Sequence, residues 1–170
     1  MGLTKKRRAF EEGHRRKFLV VIDDAPEVDS AVFFAASRIE HSGGTLVMLY
    51  VIEPQEFQHW AGVRQVQIEE EQNTAKALFR LFRRKLNDGG FEKIETEEVV
   101  REGVKADEIV KLIDEDEDIS ILVLGASSNP SQGPGPLVST LATGSVAGSF
   151  PVPISIVPGN LDIDDLKTLA

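Results

Sequence analysis

The chain has 170 residues, a formal net charge of −9 and no cysteine. That length suits one domain with a sizeable core, and the absence of cysteine excludes disulfides, thiolate metal sites and cysteine nucleophiles. An acidic balance argues against a nucleic-acid partner, because such binding depends on neutralising phosphates.

The first stretch, MGLTKKRRAFEEGHRRK, runs against that balance, with seven Lys or Arg against two Glu. It lacks the apolar core of a secretory signal, and the longest apolar runs, FLVVI and TLVMLYVI, are too short to cross a bilayer. A cytoplasmic protein with no membrane partner is the expectation. Residues 1–16 read as a basic arm. The simplest expectation for it is a mobile, solvated terminus, the alternatives being contact with an anionic partner or packing back on the acidic body.

Four apolar runs have strand length: Phe18–Ile22, Leu46–Ile52, Ile119–Leu124 and Val152–Val157. They are nearly continuous, as strands covered on both faces are. The more polar FEKIETEEVV, from Phe91, reads as an edge strand. Helical stripes separate the strands. Val28, Ala31, Val32, Ala35 and Ile39 form the first, closed by the glycines of HSGG, with Asp24 and Glu27 spaced as a capping box at its start. Ala75, Leu78, Phe79, Phe82 and Leu86 form the second, and Ala106, Ile109, Val110 and Ile113 the third. Pro136 suits the first turn of a fourth, weakened by Gly144 and Gly148. Residues 53–74 carry the least pattern and read as a mobile stretch before the long helix. Residues 160–170 read as a C-terminal tail.

The alternation β-α-β-α-β-α-β-α-β predicts an α/β fold: an open five-stranded parallel sheet, Rossmann-like, with helices on both faces and right-handed crossovers. Ligands of such sheets bind at the carboxyl ends of the strands, where the strand order reverses. Two stretches fall there, IDDAP with Asp23 and Asp24, and GASSNPSQGPGPLVST from Gly125. Asp24 is assigned to helix capping, while Asp23 is open between capping and ligand contact. The standard phosphate loops are absent, and Gly133-Pro134-Gly135-Pro136 suits a stiff turn as well as a phosphate cradle. His14, His41 and His59 lie in separate segments and are assigned to the surface rather than to a zinc site. DEDED, Asp114 to Asp118, reads as a solvated helix end, in a place where negative charge is mildly unfavourable. Phe79 and Phe82 are assigned to the core. No catalytic set and no metal site is assembled.

Taken together, the segments resemble the universal stress protein family over residues 17–159. FLVVIDDAPEVDSAV resembles its first strand and helix, with Asp23 followed eight residues on by Ala31. TLVMLYVIEP resembles its second strand, with Tyr50-Val51 for the usual His-Val. VVREGVKADEIVKLIDEDEDISILVLGASS resembles its most recognisable block, and FPVPISIVPG its closing strand. The resemblance implies a regulatory module of the stress response that binds ATP with magnesium. Asp23 and the main chain of Val51 would hold adenosine, and Gly125, Ser128, Ser139 and Thr140 the phosphates. In the ungapped register the family's second and third fingerprint glycines are Ser128 and Val138. Ser128 still offers a donor, whereas Val138 brings bulk to the phosphate position. The alternative is a dimeric interaction protein of the same fold without nucleotide binding. The resemblance implies homodimers paired through Val152–Val157, with prolines limiting which edge groups bond. Enzyme activity would be at most slow ATP hydrolysis, since no general base or γ-phosphate arginine is evident.

Overall fold

The computed structural model describes residues 6–54 and 61–170. His59 and part of the 53–74 stretch lie outside them. The strands are β1 (Lys17–Val21), β2 (Thr45–Ile52), β3 (Glu95–Glu102), β4 (Ile119–Ala126) and β5 (Ile154–Pro158). The helices are α1 (Val28–Ser42), α2 (Ala61–Asp88), α3 (Lys105–Glu115) and α4 (Ile163–Leu169). The sheet is parallel throughout, in the order β3-β2-β1-β4-β5. The polar strand β3 lies at one edge, as its composition predicts, and β5 at the other.

Alternation along the central strands builds two cores. Phe18, Val20, Ile22, Leu46, Met48 and Val123 face α1, α2 and α4. Leu19, Val21, Val47, Leu49, Leu122 and Leu124 face α3 and the segment after β4. A continuous apolar strand between two covered faces is the reason those runs show no period of two. Phe79 and Phe82 are buried beneath α2, on the stripe predicted for them. Gly43, at φ 81°, ends α1 and donates its N–H to the Ile39 carbonyl at 2.7 Å.

Four expectations need correction. The fourth helix opens at Pro136, as expected, but is short: it continues as a π-helical turn, Val138–Ala142, closed by a bond from Thr143 N–H to the Val138 carbonyl at 3.2 Å, and is followed by a 3-10 turn, Ala147–Ser149. The glycines that weaken the segment prevent a longer helix. The stretch before the long helix is shorter than expected, because residues 61–74 already belong to α2. The tail is a helix: the Asp162 carboxylate accepts from Asp165 N–H at 2.8 Å, and Leu166 is buried against α1. The basic arm, over its described residues, packs back on the acidic body. Arg8 N–H donates to the Glu117 carbonyl at 2.9 Å, and His14 pairs with Asp118 at 2.7 Å.

Replacing Leu166 with Ala tests the last helix. Deleting a fully buried leucine side chain should lower unfolding free energy by about 2–3 kcal/mol in urea titration. A change within about 0.5 kcal/mol is what a solvated tail would give.

Candidate functional site

The strand order reverses between β1 and β4, and the cleft at their carboxyl ends is where an open sheet offers a ligand site. Asp23, Glu27, Lys105, Gly125, Gly135 and Val138 are among its lining residues. Its volume is about 50 Å³. Sites for drug-sized ligands run to roughly 300–1,000 Å³, so this cleft is nearly closed.

Two close approaches explain the narrowing. A Cβ on Gly125 would lie 2.1 Å from the Glu27 carbonyl oxygen, so β4 and the start of α1 touch through backbone alone. On β5's exit, a Cβ on Gly159 would lie 2.6 Å from the Ala126 carbonyl oxygen and 2.9 Å from the Glu27 Cβ. After β4 the chain turns back over the remaining gap. Ser127 N–H donates to the Pro134 carbonyl at 3.1 Å, with Gly133 at φ 66° and Gly135 at φ 105° in the left-handed region that Gly adopts readily. Val138 then points down into the α3-side core, 4% exposed.

The structure brings Asp23 and Gly125 together at this cleft. The Asp23 carboxylate is half-buried and accepts from Ala25 N–H at 2.8 Å, the local turn that Asp makes two residues ahead. This corrects the expected division of labour: α1 starts with Glu27 at its N-cap and no side-chain cap, so Asp24 does not close the helix. Val51 buries its side chain beneath α3. The Leu49 carbonyl accepts from Ile22 N–H at 2.7 Å, toward β1. By the alternation of a parallel ladder the Val51 main chain faces the same side, beyond the last paired residue of β1. Ser128, Ser139 and Thr140 are exposed and do not line the cleft.

Two lining residues were missed from sequence. Glu27 places a carboxylate oxygen 3.7 Å from where a Gly135 Cβ would be. Lys105 brings a cation from the start of α3, 3.8 Å from Glu53. A basic residue opening a helix two positions after Gly103 is the sequence signal that marks it. Beside the cleft, Tyr50 donates to Glu71 at 2.5 Å. Burial, then the Glu71 hydrogen bond and charge, then Asp24 and Asp23, push the Tyr50 phenol well above its ordinary range.

These residues do not fit a nucleotide triphosphate. Pro134 and Pro136 have no N–H to offer, and Ser139 N–H is taken by the Gly135 carbonyl at 3.0 Å. Glu27 adds negative charge beside the loop, and Val138 occupies core volume. Among the described residues, no cluster of three or more His, Asp or Glu is placed to hold a metal ion.

An open parallel α/β sheet with its cleft at the β1/β4 switch point defines the class. The sequence model of the universal stress protein family matches residues 14–158, and the chain belongs to that family. Solved structures agree on the fold. UspA from Lactobacillus plantarum is 18% identical at a TM-score of 0.65, with 84% of this chain and 97% of that one covered. A universal stress protein from Archaeoglobus fulgidus is 18% identical at 0.54, with 84% and 93% covered. A family protein from Burkholderia pseudomallei is 16% identical at 0.52, with 84% and 95% covered. No curated protein matches the sequence significantly. No described helix is long and apolar enough to cross a membrane.

Gly125→Ala tests the backbone contact. With a carbonyl oxygen 2.1 Å from the new methyl, α1 must move off β4, and the loss should be about 1–3 kcal/mol or more by denaturant titration. Tyr50 is the chain's one tyrosine, so absorbance near 295 nm reports it alone. Its ionisation midpoint should lie above the ordinary value of about 10, and Glu71→Gln should bring it down. The folded state holds this proton more tightly than the unfolded chain. Stability from it is therefore intact below about pH 10 and falls as pH rises further, because the unfolded chain ionises first.

Proposed function

We infer that this protein is a universal stress protein that works by protein contact, with its nucleotide cleft closed. The observation that carries the reading is the burial of Val138, 4% exposed, at the fingerprint's third glycine. With that side chain in the core, the loop over the cleft cannot present its backbone to phosphates without breaking the packing on the α3 face. The cleft of about 50 Å³ and the Glu27 carboxylate point the same way. Contact runs through the β5 edge, where a second copy pairs. There Ile156 is 44% exposed, and an open groove of about 520 Å³ is lined by Phe150, Pro153, Ile154 and Ile156. Apolar side chains along an uncovered sheet edge favour association.

The other reading, an ATP-binding regulatory module, is favoured by one observation: Asp23 lines the cleft at the switch point, with Val51 at the carboxyl end of the neighbouring β2. It requires residues 127–137 to swing away.

Native mass spectrometry with and without MgATP separates the two. A dimer that takes up no nucleotide at about millimolar MgATP is the expected spectrum. Specific uptake of one ATP per chain overturns the closed-cleft reading. Ile156→Lys should give a folded monomer at the same concentration, with the far-UV circular dichroism of the original chain, and an unchanged dimer would move the interface elsewhere.

A further inference from the structure

We propose that residues 6–16 form an electrostatic latch, closed over the acidic turn between α3 and β4, whose release uncovers that turn. The turn has a need that α3 does not meet by itself. Its last residues and the link to β4 read Asp114-Glu115-Asp116-Glu117-Asp118, with no basic residue in the last turn and no glycine at the cap. Negative charge there opposes the helix dipole, and the final carbonyls of a helix lack intrahelical donors.

The arm supplies what is missing. Arg7 Nη1 lies 2.6 Å from the Ile113 carbonyl, 2.8 Å from that of Asp116 and 3.1 Å from that of Ile119, so one guanidinium spans the helix end and the start of β4. Arg8 N–H donates to the Glu117 carbonyl and, where the arm joins β1, Lys17 N–H donates to that of Asp118, both at 2.9 Å. The His14 ring meets the Asp118 carboxylate at 2.7 Å, and the Lys17 ammonium meets Asp116 at 2.8 Å. Apolar anchoring is slight. Ala9 is buried at 5% exposure, while its neighbour Phe10 is 85% exposed.

A segment held by hydrogen bonds, ion pairs and one methyl group, rather than by a stripe of large side chains, opens locally at low cost. Salt weakens its exposed pair, Arg8–Glu117 at 3.5 Å, most directly, and so favours opening of the arm. Arg7 and Ala9 lie ahead of the family match, which starts at residue 14, whereas His14 lies within it.

Hydrogen exchange read by mass spectrometry on the full chain tests this. Raising salt from about 0.05 M to about 0.5 M should speed exchange of residues 8–17 and 113–119 about tenfold, with α1 and β2 unchanged. Arg7→Ala should give the same local acceleration at low salt. Exchange in Arg7→Ala that matches the original chain would overturn the latch, as would insensitivity to salt. Acceleration across α1 and β2 together with the arm would overturn it differently, making the arm an ordinary part of the cooperative fold.

Discussion

The contact between the Glu27 carbonyl and Gly125 fixes much of this molecule. It lets the first turn of α1 lie directly on the end of β4, with no side chain between. Gly159 repeats the arrangement from the far side of Glu27, so helix and sheet are clamped where the strand order reverses. Little room is left there for anything but the protein's own loop. A glycine at position 125 is therefore required by packing alone, whether or not a phosphate ever approaches it.

The loop that follows obeys the same geometry. Pro134 and Pro136 remove donors, the two left-handed glycines let the chain reverse, and Val138 drops into the core behind it. Each residue is ordinary by itself. In combination they fill with backbone and a valine the place where the family resemblance put phosphates. The frame depends on strands and helices, whereas what the cleft can accept depends on a handful of loop residues.

Charge is arranged with similar economy. Exposed ion pairs such as Arg15–Glu95 contribute little singly, because water screens them and long side chains lose freedom. Arg7 differs: it serves three backbone carbonyls at a helix end whose own sequence is acidic. The formal charge of −9 hides this local pairing of a basic arm with an acidic turn.

Strand runs, helix stripes and the C-terminal glycine of α1 were legible because each depends on neighbours within a few residues, through backbone alternation, helical spacing or the freedom of Gly43. Family membership followed from the order of those segments. Asp23 and Gly125 were legible as cleft residues because strand ends mark the switch point of any such sheet. Ser128, Ser139 and Thr140, which the resemblance put at phosphates, lie exposed outside the cleft's lining, since a loop's path depends on which side chain the core accepts, and the core took Val138. The place of Glu27 in the cleft, the particular docking of Arg7 and the helix at 163–169 were not legible, for one shared reason. Each depends on a partner far away in sequence, a carbonyl at 113, a glycine at 125 or a buried face of α1, and only folding brings those groups within reach.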